Sequence, residues 1–429
     1  MATVKILNYE LAPSPATIFG CLLPAPWLGM VAGLLLAFGP GNGLPDRFAP
    51  LTLALTHCLV LGMLAPIMIG ALFQLMPVVA GQTVNSARFI SPFVALGSAL
   101  IAGALSLGFL RGDLRGFVWA AILAAALYGA VVLALLSAAW RVSAVDATTR
   151  TLRWIAVALA LVVGLGIALA GSFAGLWRID VSHWLNLHVA WGLFGWIATL
   201  VIGVASTVVP MFWQTARPSA RWQRCLPGVF WLPLLLASLT SLAVLWQLAL
   251  LMACATVGVF SLFAMRAVWL AKRRFDPAWS LWLVCTASWL CAALLTAILS
   301  LFSSHLPLAL LSMIPWWIGV LALVGGAVLP VNAMLGKIIP FLVFLHLRRQ
   351  TPAGRRVPTM QAVLPPQRLK WQARLVLLAM TILLLLPLAP SVFVIPAGVV
   401  FAASQGFMGA LLMLTLLRYR RELIAVLFP

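Results

Sequence analysis

The chain has 429 residues, of which 64% are hydrophobic and only 8% are charged. Apolar runs of about 20 residues are what a bilayer span requires, so this composition excludes a soluble globular protein and predicts an all-α polytopic membrane protein. The formal net charge of +20 is spread over several loops, which favours contact with anionic lipid of the bilayer and argues against nucleic acid as a partner.

Twelve apolar segments are predicted to span the membrane as helices, within one transmembrane domain over residues 1–429. The split between the seventh and eighth depends on Trp246 and Gln247, which interrupt the apolar run there. The predicted spans cover residues 15–39, 51–80, 90–110, 116–139, 152–174, 183–213, 225–245, 248–270, 278–303, 307–335, 371–389 and 392–417.

The cations predict the orientation of these spans. Of the 27 lysines and arginines, 22 lie in the N-terminus, the C-terminus and the loops that follow even-numbered spans. Because cytoplasmic loops carry the excess of Lys and Arg, both termini are predicted to be cytoplasmic.

A weak internal repeat relates the second, sixth and tenth spans. Each contains a glycine and then a proline between apolar residues, at Pro77, Pro210 and Pro330. A repeat of four helices predicts a pseudo-threefold bundle of three four-helix units. The units cover about residues 15–140, 150–271 and 277–417.

Histidines stand at the start of each of these three spans. His57 opens the second span, His183 and His188 open the sixth, and His305 opens the tenth. His183 is predicted to face the outer surface, and His305 to belong to the loop–helix junction. His346 follows the tenth span beside two arginines and is predicted to be solvated at the interface.

His188 stands above a row of small residues in the sixth span. At 100° per residue, the row lies within about 60° of the direction of His188. Two interpretations stay open: close packing of helices, or a face for a flat haem whose iron the imidazole binds. The row comprises Gly192, Gly195, Thr199, Gly203 and Ser206.

Two stretches carry a family resemblance. The second span contains THCLVLGMLAPIMIGALFQLMPVVAG, which resembles the second helix of subunit I of the haem-copper oxidases. The sixth span contains HVAWGLFGWIATLVIGVASTVVPMFW, which is similar to the tenth helix of the cbb-type oxidases. The resemblance implies that His57 is a ligand of low-spin haem. The second histidine of the cbb motif is Ala190 here, and the three histidines of the copper site are missing.

The resemblance therefore implies a divergent relative, comparable with the twelve-helix NnrS family, and not a conventional oxygen reductase. We expect a b-type haem held by His57 and His188, beside Gly192, Gly195 and Thr199, with copper possible and no catalytic residue predicted. The implied role is respiratory electron transfer, or a nitrogen-oxide or metal-related process, in a bacterial-type inner membrane. A redox protein or a respiratory complex subunit is the implied partner.

Two other functions stay open. A cofactor-free permease would use long helices rich in Gly and Pro as its path, with Asn332 and Lys337 as polar gates. A structural subunit would keep an oxidase-like scaffold without its metals. A Soret band separates the haem protein from both alternatives.

Overall fold

A computed structural model describes residues 8–240, 242–274, 276–352 and 356–427. Within these residues the chain is helical, with turns and loops and no strand. Eleven helices are long and apolar enough to cross a bilayer, so the predicted all-α class is confirmed and the prediction of a multi-pass membrane protein is supported.

We number the twelve main helices in chain order. The seventh has only 12 residues and is the one that is too short to count among the eleven. The helices are α1 Pro15–Phe38, α2 Pro50–Ala80, α3 Ala87–Arg111, α4 Leu114–Ala139, α5 Ala147–Phe173, α6 Val181–Trp213, α7 Gly228–Leu239, α8 Ala243–Trp269, α9 Pro277–His305, α10 Leu308–Gln350, α11 Pro366–Leu388 and α12 Pro390–Val426. Short helices at Ala220–Cys225 and Met360–Val363 lie between them.

The boundary between α7 and α8 differs from the predicted one. It lies at residues 240–242, so Trp246 and Gln247 belong to α8. Thr240 is extended, and its hydroxyl accepts a hydrogen bond from the backbone N–H of Leu242 (3.1 Å). Threonine competes with helix in this way. Gln247 is accommodated within α8 because its amide donates to the Ser300 carbonyl (3.0 Å).

The helices α2, α6 and α10 form the interior of the bundle. In α2 and α10, 78% of the most apolar stretch is buried, and in α6 56%, whereas no other long helix exceeds 50%. Each of the three is longer than the helices before and after it. Each also contains a π-helical segment, at Cys58–Leu64, Trp191–Ala198 and Val320–Val328. Such segments are rare and are frequent at functional sites.

Glycines bring the helices into close contact. A Cβ atom added to Gly70, Gly203 or Gly325 would meet side chains of α1, α5 and α9 respectively. Where α1 packs against α12, Gly33 and Gly398 face one another so closely that a Cβ on either would meet backbone atoms of the other helix. Small residues allow this approach of backbones inside a membrane.

Hydrogen bonds gather the C-terminal ends of all the even-numbered helices at one face. We call this the basic face; it consists of Tyr9, those six helix ends and the loops between them. An ion pair between Asp276 and Lys337 joins the loop before α9 to α10 on the same side. The hydrogen bonds join Asn8 N to Val78 O (2.9 Å), Arg141 Nε to Gln82 Oε1 (3.2 Å), Arg273 N to Trp213 O (3.3 Å), Arg349 Nη2 to Tyr9 O, and Arg418 Nη1 to Val363 O (2.9 Å).

Candidate functional site

A cavity of about 1070 Å³ lies among the N-terminal halves of α2, α6 and α10, away from the basic face. Most of the residues that border it are aliphatic or aromatic, and residues of every other main helix except α7 complete its walls. Pockets for small ligands and cofactors typically measure about 300–1,000 Å³ and are mostly apolar. The cavity is therefore large enough for a bulky hydrophobic cofactor.

Two imidazoles meet in this cavity. His57 is the eighth residue of α2, and His188 is the eighth residue of α6. Their ring centres are 6.4 Å apart, and their ring planes are nearly parallel, at 13°. Both rings border the cavity and keep some accessible surface. The structure thus brings together the two histidines that were expected to hold the cofactor, each the eighth residue of its helix.

Backbone carbonyls fix the tautomer of both rings. Nδ1 of His57 lies 2.7 Å from the carbonyl oxygen of Leu53, and Nδ1 of His188 lies 3.0 Å from that of Val162. A carbonyl only accepts hydrogen bonds, so each Nδ1 carries the proton and donates. Each Nε2 is then left with a free lone pair, which is the arrangement that orients a metal-binding histidine.

The helix α5 provides the seat for His188. Val162 and Gly166 are one turn apart and lie on the same side of α5. A Cβ on Gly166 would lie 3.1 Å from Cε1 of His188 and would press against the ring. Neither residue was predicted from the sequence. The glycine-rich stretch from Gly164 to Gly171 indicates close packing of α5, but it does not identify the side chain that packs against each glycine.

The small residues of α6 that were expected beside the macrocycle do not all face the cavity. Gly192 borders the cavity, whereas Gly195 and Thr199 lie outside it and pack against α7. Nε1 of Trp231 in α7 donates to the Thr199 hydroxyl (3.2 Å). The expected placement of Gly195 and Thr199 beside the macrocycle assumed 100° per residue, and the π-helical segment Trp191–Ala198 turns less per residue.

Helix α10 brings no imidazole to the cavity. Its eighth residue, counted as for His57 and His188, is Pro315, which borders the cavity together with Trp316 and Gly319. The pair of histidines therefore makes the interface between α2 and α6 chemically different from the two interfaces that α10 forms.

The other histidines lie outside the cavity. The backbone N–H of His183 donates to the capping carboxylate of Asp180, and His305 lies in an exposed turn. His346 is half-buried, and its Nδ1 lies 2.8 Å from the Tyr419 hydroxyl, so it is held by the protein where solvation was expected.

Thiols do not enter the cavity either. Cys58 follows His57 directly, but its sulfur lies 3.3 Å from the Ser106 hydroxyl and not along the cavity wall. Among the residues that the structure describes, no group of three or more His, Cys, Asp or Glu side chains could hold a metal ion. The described residues therefore contain no ligand cluster that supports the expectation of copper.

Known proteins offer no guide to this site. No protein-family model matches the chain, and no curated protein sequence matches it. Its function has to be inferred from the cavity and the two imidazoles.

Proposed function

We propose that the protein is an integral membrane haem protein in which His57 and His188 are the two axial ligands of a b-type haem. The arrangement of the two rings carries this proposal. A metal ion lies about 2 Å from an imidazole nitrogen, and the ring centre lies about 1 Å behind that nitrogen, so two rings that share one metal have centres about 6 Å apart. The 6.4 Å separation of the centres fits this value.

The cavity supports a macrocycle in this position. His57 and His188 come from α2 and α6 and both border the cavity, so a macrocycle held between them would lie inside it. Gly192 leaves room beside His188, since even an added Cβ would meet only Val162, at 3.5 Å. A porphyrin supplies four nitrogens of its own, so two protein ligands complete its iron.

Two neutral imidazoles define the chemistry of such a centre. The residues His57 and His188 would hold the iron from both sides and exclude a further ligand. The bound haem would supply one-electron chemistry in a six-coordinate, low-spin state. This favours electron transfer, in respiration or in a nitrogen-oxide or metal-related process, with a redox protein or a respiratory complex subunit as partner. The missing copper-site histidines argue against oxygen reduction.

We also infer that the chain crosses the membrane twelve times, with both termini and the basic face in the cytoplasm of a bacterial-type cell. The hydrogen bond between Arg273 and Trp213 supports the count. It ties the ends of α6 and α8 to one side, so the chain between them has to cross in α7. The cations of the basic face support the orientation.

A pseudo-threefold arrangement of three four-helix units completes this proposal. The π-helical segments recur in α2, α6 and α10 only among the long helices described. Gly70, Gly203 and Gly325 each contact the first helix of their own unit. Recurrence of both features in equivalent helices is expected of a repeat.

A cofactor-free permease is the second candidate, and one observation favours it. Asn332 in α10 is 1% exposed, and neither its amide nitrogen nor its amide oxygen has a hydrogen-bond partner in the described residues. Unpaired buried polar groups are costly and often functional. Lys337, the other expected gate, is paired with Asp276, which weakens this alternative.

A visible spectrum of the protein purified from haem-replete cells tests the proposal. We expect a Soret band of a low-spin haem, with one haem per chain. His57→Ala and His188→Ala should each convert the spectrum to high spin or remove it, because one axial ligand is lost. His305→Ala is the matched control and should leave the spectrum unchanged. Absence of haem from the wild-type protein would favour the permease.

A further inference from the structure

The cavity has one cation at its mouth. Of the described residues that border the cavity, Arg47 is the only one with a permanent positive charge, and none is an aspartate or glutamate. Arg47 lies three residues before α2, whose first residue, Pro50, is about 10 Å along the helix axis from His57. The guanidinium is therefore above the histidine pair, towards the end of the bundle that is opposite the basic face.

Local contacts hold the segment that carries Arg47. The Asp46 carboxylate accepts a hydrogen bond from the backbone N–H of Phe48 (2.9 Å), and the Asp46 carbonyl accepts one from the Thr52 hydroxyl (2.8 Å). The second bond fastens the loop to the first turn of α2. The position of the guanidinium over the cavity is thus built into the structure and does not depend on a free loop.

The donors of Arg47 are not used within the described residues. Its guanidinium lies over the Phe48 ring, 4.4 Å from the ring centre, and makes no hydrogen bond or salt bridge. Burial lowers the pKa of Arg47, and the negative charge of Asp46 opposes that shift; arginine side chains stay charged in proteins. A forked donor of this kind suits a carboxylate, which it can bind through two hydrogen bonds.

We propose that Arg47 binds a propionate carboxylate of the haem and so fixes which edge of the macrocycle faces outwards. This inference rests on the proposed function. A macrocycle held between His57 and His188 shares the cavity with Arg47, and its edges away from Arg47 meet apolar side chains. Carboxylates are costly among apolar side chains. The charged edge therefore points to Arg47, and the site selects a haem that has free carboxylates there.

The test is a haem titration that compares two probes. The protein is produced under haem limitation, purified in detergent, and titrated with ferric protoporphyrin IX and with its dimethyl ester. We expect the wild-type protein to bind the free acid about 10- to 100-fold more tightly, which corresponds to the usual contribution of a hydrogen bond to a charged group. Arg47→Gln should lose this preference but keep the low-spin spectrum. It should also have a lower midpoint potential, because a cation near the iron disfavours the oxidised state.

The matched control is Arg178→Gln. Arg178 lies in the loop between α5 and α6 on the same side of the bundle, is exposed, and does not border the cavity. It should keep the wild-type preference and potential. The wild-type protein could bind the two probes equally, while His188→Ala binds neither. That result would overturn the role of Arg47 and leave the ligand assignment intact. If the wild-type protein binds neither probe, the proposed function fails and the role of Arg47 fails with it.

Discussion

Gly166 offers a sharp test of how the protein holds His188. In the structure, a Cβ at this position would lie 3.1 Å from Cε1 and 3.6 Å from Nδ1 of the imidazole. Gly166→Ala therefore has to displace the ring by a few tenths of an ångström and strain the hydrogen bond to the Val162 carbonyl. Loss of a partner that orients a metal ligand typically lowers affinity about 10- to 100-fold. We expect about a tenfold loss of haem affinity for Gly166→Ala and a larger loss for Gly166→Val.

Gly164 provides the control for this change. It lies two residues earlier in the same helix, and a Cβ there would meet nothing within 4 Å. Both Gly→Ala changes raise helix propensity by about 1 kcal/mol, so the difference between them isolates the contact with His188. The assay is a haem titration followed by the Soret band and by the spin state. Equal affinities for Gly164→Ala and Gly166→Ala would refute the proposed seat on α5.

Three further predictions concern space and topology. Gly192→Leu should block haem binding while the purified protein stays folded. Gly195→Leu should lower the melting temperature, because a Cβ at position 195 already meets the Trp191 ring. Thermal unfolding and haem content measure both effects. Gly398→Leu should destabilise the protein by about 3 kcal/mol, since overpacking costs about 1–3 kcal/mol and backbone atoms cannot yield; Gly103→Leu, in open space, should not. A reporter fused after Thr240 should lie outside the cell, and a cytoplasmic location would refute the crossing by α7.

The spans were largely predictable from the sequence because hydrophobicity over about 20 residues is a local property. The bounds of α7 were not, since its ends depend on the hydrogen bond between Thr240 and Leu242 and on the turn before Gly228. The expected pair, His57 and His188, does lie in one cavity. The polar character of both residues inside apolar spans was the signal that selected them.

The residues that surround His57 and His188 could not be predicted from the sequence. The π-helical segment of α6 rotates Gly195 and Thr199 away from the cavity, and no residue in Trp191–Ala198 announces that change of period. Gly166 belongs to a different helix, so its contact with His188 arises only when α5 and α6 pack. No motif in the sequence marks Arg47 as part of the site. Its place above the cavity depends on the fold of the loop before α2.

The close contact between Gly33 and Gly398 has a consequence for the order of synthesis. Of the described helices, α1 is made before the others, and its partner in this contact, α12, is made after them. Both helices border the cavity, whereas His57 and His188 belong to the first half of the chain. During translation, the two imidazoles are therefore made before the walls that α8 to α12 contribute to their cavity. The proposed haem would have that interval to enter from the bilayer, before α12 packs against α1.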